Sequence, residues 1–378
     1  MKFKLKKNSE IYILAPARID TGGPTDLHQL AYILRNKFKK KAYMYYYPKT
    51  IKNPVHKNYK VLKVPYKKNI DDLRKNILII PEAYTAVEIS KSYKNLQKGL
   101  WWLSVDFFLY HRFINKNHST IRSLIKIPHK FINLFNKLTS FYYGNVSLFK
   151  YLKFIYLKPW FSNIFKIENI KVNLVHSDYQ FKVLKKNKIK ANYLSDYIRK
   201  EYFIASKKIL IKNKQNIICY NPRKSSNFFE KFIKLNPDIK FIPLINLNLK
   251  QVIDILSKSK IYMDFGFHPG QDHLPREAAI LRNCVITNRE GSASIYNDLP
   301  IKEEFKFIER KENFIKITKK INLIFNSFSD QLKKFKFYRN ILYLQEKKFT
   351  NQISKIFNWV GIVTFPFHPF HPFRPFRP

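Results

Sequence analysis

Apolar residues along this chain gather in short runs, separated by stretches whose apolar positions recur at helical spacing. The first run, Ile11–Ala15, leads through a polar, Gly-containing stretch into Leu27, Leu30, Ala31 and Leu34. That order predicts a strand, a loop and a helix over Asp26–Lys37. Further strands are predicted at Ala42–Tyr47, Val61–Val64, Ile77–Ile80, Gly99–Val105, Asn173–Tyr179 and Ala191–Leu194, with a helix over Gln180–Lys186. The charged stretch Lys200–Lys214 reads as a linker. The pattern then restarts with a strand at Asn216–Tyr220, a helix from Asn227, a strand at Phe241–Ile245 and a helix over Leu249–Ser257. Next come a strand at Ile261–Phe265, a short helix over Glu277–Leu281 carrying an acid in its first turn, and a strand at Cys284–Thr287. Helical spacing dominates from Asn313 to Trp359, and the Pro-punctuated tail Thr364–Pro378 is expected to be extended. Strands alternating with helices, twice over, predict an α/β protein of two Rossmann-like domains with parallel sheets. The boundaries read as 1–200 and 213–330, followed by helices over 331–360 and a tail from 361.

Composition narrows this picture. At 378 residues and 45% hydrophobic content the chain is long enough for two cores. Cys219 and Cys284 both fall in apolar runs, so a disulfide framework is not expected and a reducing, cytoplasmic compartment is. The basic start, Met1–Leu14, lacks a continuous apolar segment and reads as a strand rather than a signal peptide. No apolar run approaches the ~20 residues of a membrane span.

The formal charge is +45, from 71 Lys+Arg against 26 Asp+Glu, and such a field attracts anions. Abundant Lys, Asn, Ile, Phe and Tyr suit A/T-biased coding, so distribution says more than the total. Residues 107–167 hold ten Lys/Arg, no acid and sixteen aromatic residues. Three readings of that segment stand open: docking on an anionic membrane surface, where lysines meet headgroups and aromatic residues enter the interface; stacking on single-stranded nucleic acid; or an ordinary helical core with solvated lysines.

The most informative stretch is 264–298, a strand, polar loop, helix, strand and small-residue loop in succession. Glu277-Ala278-Ala279, Val285-Ile286-Thr287 and Gly291-Ser292 resemble the donor-site signature of group 1 (glycogen-synthase-like) glycosyltransferases with the GT-B fold. One position departs from it: where the family carries a second Glu, eight residues before Glu277, this chain has Pro269. The resemblance implies two domains facing a cleft, and transfer of a sugar from a nucleotide-sugar donor to a surface polysaccharide or lipid-linked glycan acceptor. It implies that Arg223 and Lys224 contact the donor diphosphate, that Glu277 holds ribose, and that backbone around Gly291 and Ser292 supports leaving-group charge. It also makes Gly22 and Gly23 the loop where backbone approaches phosphate and acceptor.

A general base is expected from the first half, in a cleft. Asp106 follows a predicted strand and is the first choice, with His111, Asp26, His28 and Glu82 as rivals. His268, Asp272 and His273 could ligate a metal, but without a supporting Cys or His cluster they read as polar residues of the donor pocket. No Asp-x-Asp occurs in the chain. The expectation is therefore a metal-independent enzyme without a cofactor, peripheral at the inner face of the membrane. The alternatives are a basic nucleic-acid-binding protein and a catalytically inactive GT-B-like scaffold.

Overall fold

The computed structural model describes residues 1–109 and 165–359. Most of the basic aromatic segment, with His111, and the Pro-rich tail lie outside the described residues. Two parallel sheets organise the rest. The first runs β3 (Lys41–Tyr47), β2 (Glu10–Pro16), β4 (Ile77–Pro81), β5 (Gln97–Trp102), β6 (Ile170–Val175), β7 (Asn192–Tyr193). The second runs β12 (Lys306–Phe307), β11 (Cys284–Asn288), β10 (Ser259–Asp264), β8 (Gln215–Tyr220), β9 (Lys240–Pro243).

The central strands are near-continuous apolar runs because helices cover both faces of a parallel sheet. Ile77, Leu78, Ile79 and Ile80 of β4 are all fully buried, Ile77 and Ile79 toward one core and Leu78 and Ile80 toward the other. The second sheet has its own core, built around Ile218, Tyr262, Val285 and the helix residues Phe229, Phe232, Ile317 and Ile321. Two segments cross over. The final helix, Gln345–Ile356, places Phe349 and Ile353 in the first sheet's core. Tyr202, on a helix over Lys200–Ser206, packs into the second. That helix occupies part of the stretch read as a linker.

Three further differences have physical causes. Val61–Val64 is not a strand; residues Lys57–Leu62 form a 3-10 turn with Val61 exposed. The turn instead aims Tyr59 inward, where its ring stacks on His28 at 3.8 Å. The helix expected from Asp26 begins at Gly22, since Thr21 is still extended and Gly22-Gly23 are already helical. The basic start read as one strand holds a separate short one, β1 (Phe3–Leu5), which pairs in parallel with β13 (Phe357–Trp359) in a stretch read as helical, and Phe3 stacks on Phe357 at 5.1 Å. Their length is too short for alternation to register. No helix among the described residues is long and apolar enough to cross a membrane.

Lys214 shows how a lysine serves this core. Its ammonium is buried beneath β8 and donates to the carbonyls of Leu256, Ser259 and Leu281 at 2.9, 2.8 and 2.6 Å. These acceptors end one helix, begin β10 and close another helix, so one side chain ties three chain ends. Lys214→Met keeps the stem but strands three carbonyls, and should cost about 2 kcal/mol, read as a lowered urea midpoint with unchanged m-value.

Candidate functional site

In the first sheet β2 lies between β3 and β4, and in the second β8 lies between β9 and β10. Connections leave these strands in opposite directions, which opens a crevice at their carboxyl ends, the usual ligand position in such sheets. Both crevices contribute to one cavity of about 610 Å³. From the first half come Gly22, Gly23, Asp26, Glu82 and Ser104; from the second, Lys224 and the loop Pro269–His273. The helices Gly22–Asn36 and His273–Ile280 both start on its wall. Each turns the positive end of its dipole toward the cavity.

A charged cluster spans the two halves beside this cavity. Arg276, buried on the helix His273–Ile280, clasps Asp196 with two parallel bonds of 2.5 and 2.6 Å. Its remaining donors reach the carbonyls of Gln271 and Asp272, fixing the loop that lines the cavity. His273 Nε2 sits 3.0 Å from Asp26 Oδ1 and 3.3 Å from Asp196 Oδ2. Burial alone would lower the His273 pKa, but Asp26 and Asp196 raise it to about 10. Burial, reinforced by Asp196, pushes Asp26 up to about 7. Asp196 goes the other way: against burial, Arg276 and His273 hold it well below the ordinary range. Close approach requires Gly22, because a Cβ there would stand 2.9 Å from His273 Cδ2.

A second cluster lies beneath the loop. Asp272 bonds the Lys224 ammonium and His268 Nδ1, and His268 Nε2 lies 3.7 Å from Asp264. Burial disfavours the Asp272 carboxylate, but Lys224 and His268 hold its pKa down. Gly291, at φ 57°, brings the next turn against this loop; a Cβ there would meet the His268 carbonyl at 2.0 Å. Ser292 N–H donates to that same carbonyl and its hydroxyl to Gly270. Gly291 and Ser292 thus brace the loop and are not among the residues lining the cavity.

The structure brings Gly22, Gly23, Lys224 and Asp272 together on the cavity wall, with His268 buried behind them. Arg223 is exposed and bonds Asn246. Glu277 is not in the helix's first turn, because the helix opens at His273; the acid is buried, bonded to Tyr202, and 3.8 Å from His273 Nδ1. Asp106 is buried against the Tyr179 hydroxyl and does not line the cavity. His28 bonds the Pro24 carbonyl and Tyr46 and is not among the lining residues either, and burial lowers its pKa to about 4. Of the rivals, Asp26 and Glu82 face the cavity. Glu82 accepts the Leu103 N–H, and burial pushes its pKa up to about 8.

Asp196 and Arg276 were not singled out from the sequence. A lone acid just past a strand's carboxyl end was the available signal for Asp196, but nothing in the sequence paired it with a residue eighty positions on. Asp26, Asp196 and His273 form one group whose ligand atoms lie within 4.8 Å of one another, and Asp264, His268 and Asp272 form another. Arg276 and Lys224 already neutralise these carboxylates.

No protein-family model matches the chain. Among curated proteins, the glutamate–tRNA ligase of Buchnera aphidicola (Cinara cedri) is 29% identical over 242 residues, 63% of this chain. The match spans only 44% of that ligase, so this chain covers less than half of its length. Solved structures are similar along almost the whole chain. A glycosyltransferase from Rickettsia africae superposes with TM-score 0.52 at 12% identity, covering 92% of this chain and all of that one. Anabaena Alr3699/HepE with UDP-glucose gives 0.54 at 8% identity, covering 92% and 99%. Sucrose-phosphate synthase from Thermosynechococcus elongatus gives 0.54 at 10%, covering 92% and 98%. The architecture is GT-B.

The pKa of His273 generates a test of the cluster. Raised to about 10 from the ordinary value 6.5, it keeps its proton in the folded state where the unfolded chain has lost it. Its contribution is complete below about pH 6.5 and disappears as pH rises through 10, at up to ~1.4 kcal/mol per pH unit. Stability should therefore fall between pH 7 and 10, and His273→Gln should flatten that fall in denaturant titrations.

Proposed function

We propose that the protein is a glycosyltransferase that moves a sugar from a nucleotide-sugar donor, whose diphosphate lies in the cavity between the two sheets. One observation carries this reading: two helix N-termini, the Lys224 ammonium and a protonated His273 converge on a cavity at the carboxyl ends of both sheets. That arrangement suits an anionic leaving group, stabilised by fixed positive charge without reorganisation. Lys224 would exchange part of its contact with Asp272 for phosphate oxygens, and Arg223 would reach the diphosphate from the rim. Glu277, beside His273, would hold ribose or fix the helix start against it.

On the acceptor side, Glu82 is the group placed to take the hydroxyl proton. Its buried carboxyl, at the end of β4, opens on the same cavity. We take transfer to be metal-independent, since the clustered carboxylates already have Arg276, Lys224 and His273 as cations. The acceptor we propose is a surface polysaccharide or lipid-linked glycan, reached from an anionic membrane surface that the charge of +45 favours.

A thermal-shift panel of nucleotides and nucleotide sugars, UDP-glucose included, tests the donor. At ~100 times its dissociation constant, a ligand adds about 2.7 kcal/mol of stability. One nucleotide sugar should shift the wild type selectively, with the shift falling away in Lys224→Ala and Glu277→Ala. A panel without any shift, or shifts unchanged in both variants, would sink the reading.

A further inference from the structure

A second cavity lies against the first sheet, with its lysines gathered toward the amino ends of β5 and β6. It encloses about 460 Å³ and is lined by Lys91, Lys94, Lys98 and Lys166, with Tyr84 and Phe108 among its other walls. Lys98 is the unusual member. It sits on the central strand β5, paired with Leu78 of β4 and Ile170 of β6, and is only 3% exposed. A lysine so placed normally finds a carboxylate or several carbonyls, as Lys214 does. Among the described residues, none accepts a bond from the ammonium of Lys98, Lys94 or Lys166. The acids nearby are committed or peripheral. Glu88 pairs with Lys91 at 2.7 Å, and both oxygens of Asp72 receive N–H groups of Lys94, Asn95 and Leu96. Glu168 is exposed on the rim. Burial and Lys94 press the Lys98 ammonium toward losing its proton, with the Asp72 carboxylate opposing them.

Lysines gathered around one cavity repel one another, and a multiply charged anion between them relieves that repulsion. Lysine ammoniums bind phosphate as point charges, without the fixed geometry that a planar carboxylate draws from arginine. We propose that this pocket is a phosphate-binding site, with Lys98 as its buried ligand and Lys94 and Lys166 on the outer oxygens. It takes the phosphomonoester or diphosphate group of a molecule other than the sugar donor. Its lysines stand at the amino ends of the strands, although Tyr84 borders both this cavity and the one at the carboxyl ends, and the site does not depend on the sugar-transfer reading.

Two arms separate the sources of that phosphate. Titration calorimetry of the full chain with inorganic phosphate and pyrophosphate, at fixed ionic strength, probes soluble ligands. Co-sedimentation with phosphatidylcholine vesicles, with and without phosphatidic acid, probes a headgroup. Binding in either arm should weaken at least about tenfold in Lys98→Met. It should weaken in Lys166→Gln as well, an exposed change that leaves folding intact, and stay unchanged in Lys250→Gln, an exposed lysine that lines neither cavity. The arm that responds names the source. The proposal is overturned if neither arm shows binding, if Lys98→Met and Lys166→Gln bind as the wild type does, or if Lys250→Gln weakens binding as much as they do.

Discussion

The rest of the molecule depends on one buried ionic contact, the two-pronged clasp of Asp196 by Arg276. Asp196 belongs to the chain just past β7 of the first sheet, and Arg276 to the helix that follows β10 of the second. Two such groups leave water only if each is answered by the other and by further hydrogen bonds. Here the guanidinium also holds two loop carbonyls, and Asp196 also receives His273. The contact thus fixes how the halves face each other and shapes the loop that closes the cavity. Removing one partner leaves an uncompensated buried charge, a loss of roughly 3–5 kcal/mol in comparable sites. A second contact guides the same interface: Asp298 accepts the N–H groups of Asp178 and Tyr179 at 2.7 and 2.8 Å, capping a helix of the opposite half.

Much of the architecture was legible in the sequence because buried parallel strands leave a strong signal. Runs such as Ile77–Ile80 and Ile261–Met263 tolerate no polar residue, and their alternation with helices predicts a doubled parallel sheet. Legibility failed where the determinant was tertiary. Val61–Leu62 looks like a strand core until Tyr59 is seen to take the inward position. Helix starts were missed in the same direction at both ends of the cavity, at Gly22 and at His273. In each case polar or glycine residues lead the helix, so apolar spacing begins a turn late.

The candidate site was legible in part, for a related reason. Lys224, Asp272 and the Gly22-Gly23 pair lie at chain positions that a strand's end marks out, and they line the cavity. Asp106 occupies an equivalent position after β5, yet its side chain turns to Tyr179 in the core. Spacing alone does not distinguish those two outcomes, because the direction of a side chain leaving a strand depends on its packed neighbours. Asp196 and Arg276 were hidden more deeply. Their roles exist only once two distant segments meet. The charge of +45 likewise concealed specific lysines among many, Lys214 and Lys98 being set apart by burial rather than by sequence.

The central claim, that this buried clasp sets the arrangement of the halves, is tested most directly by a distance across them. Cys219 and Cys284 are buried, so spin labels at Lys68→Cys and Lys250→Cys, both exposed, would report one pair by pulsed electron resonance. The wild-type background should give a single narrow distribution, and Asp196→Asn a broad or displaced one while both sheets remain folded. An unchanged narrow distribution in Asp196→Asn would contradict the account.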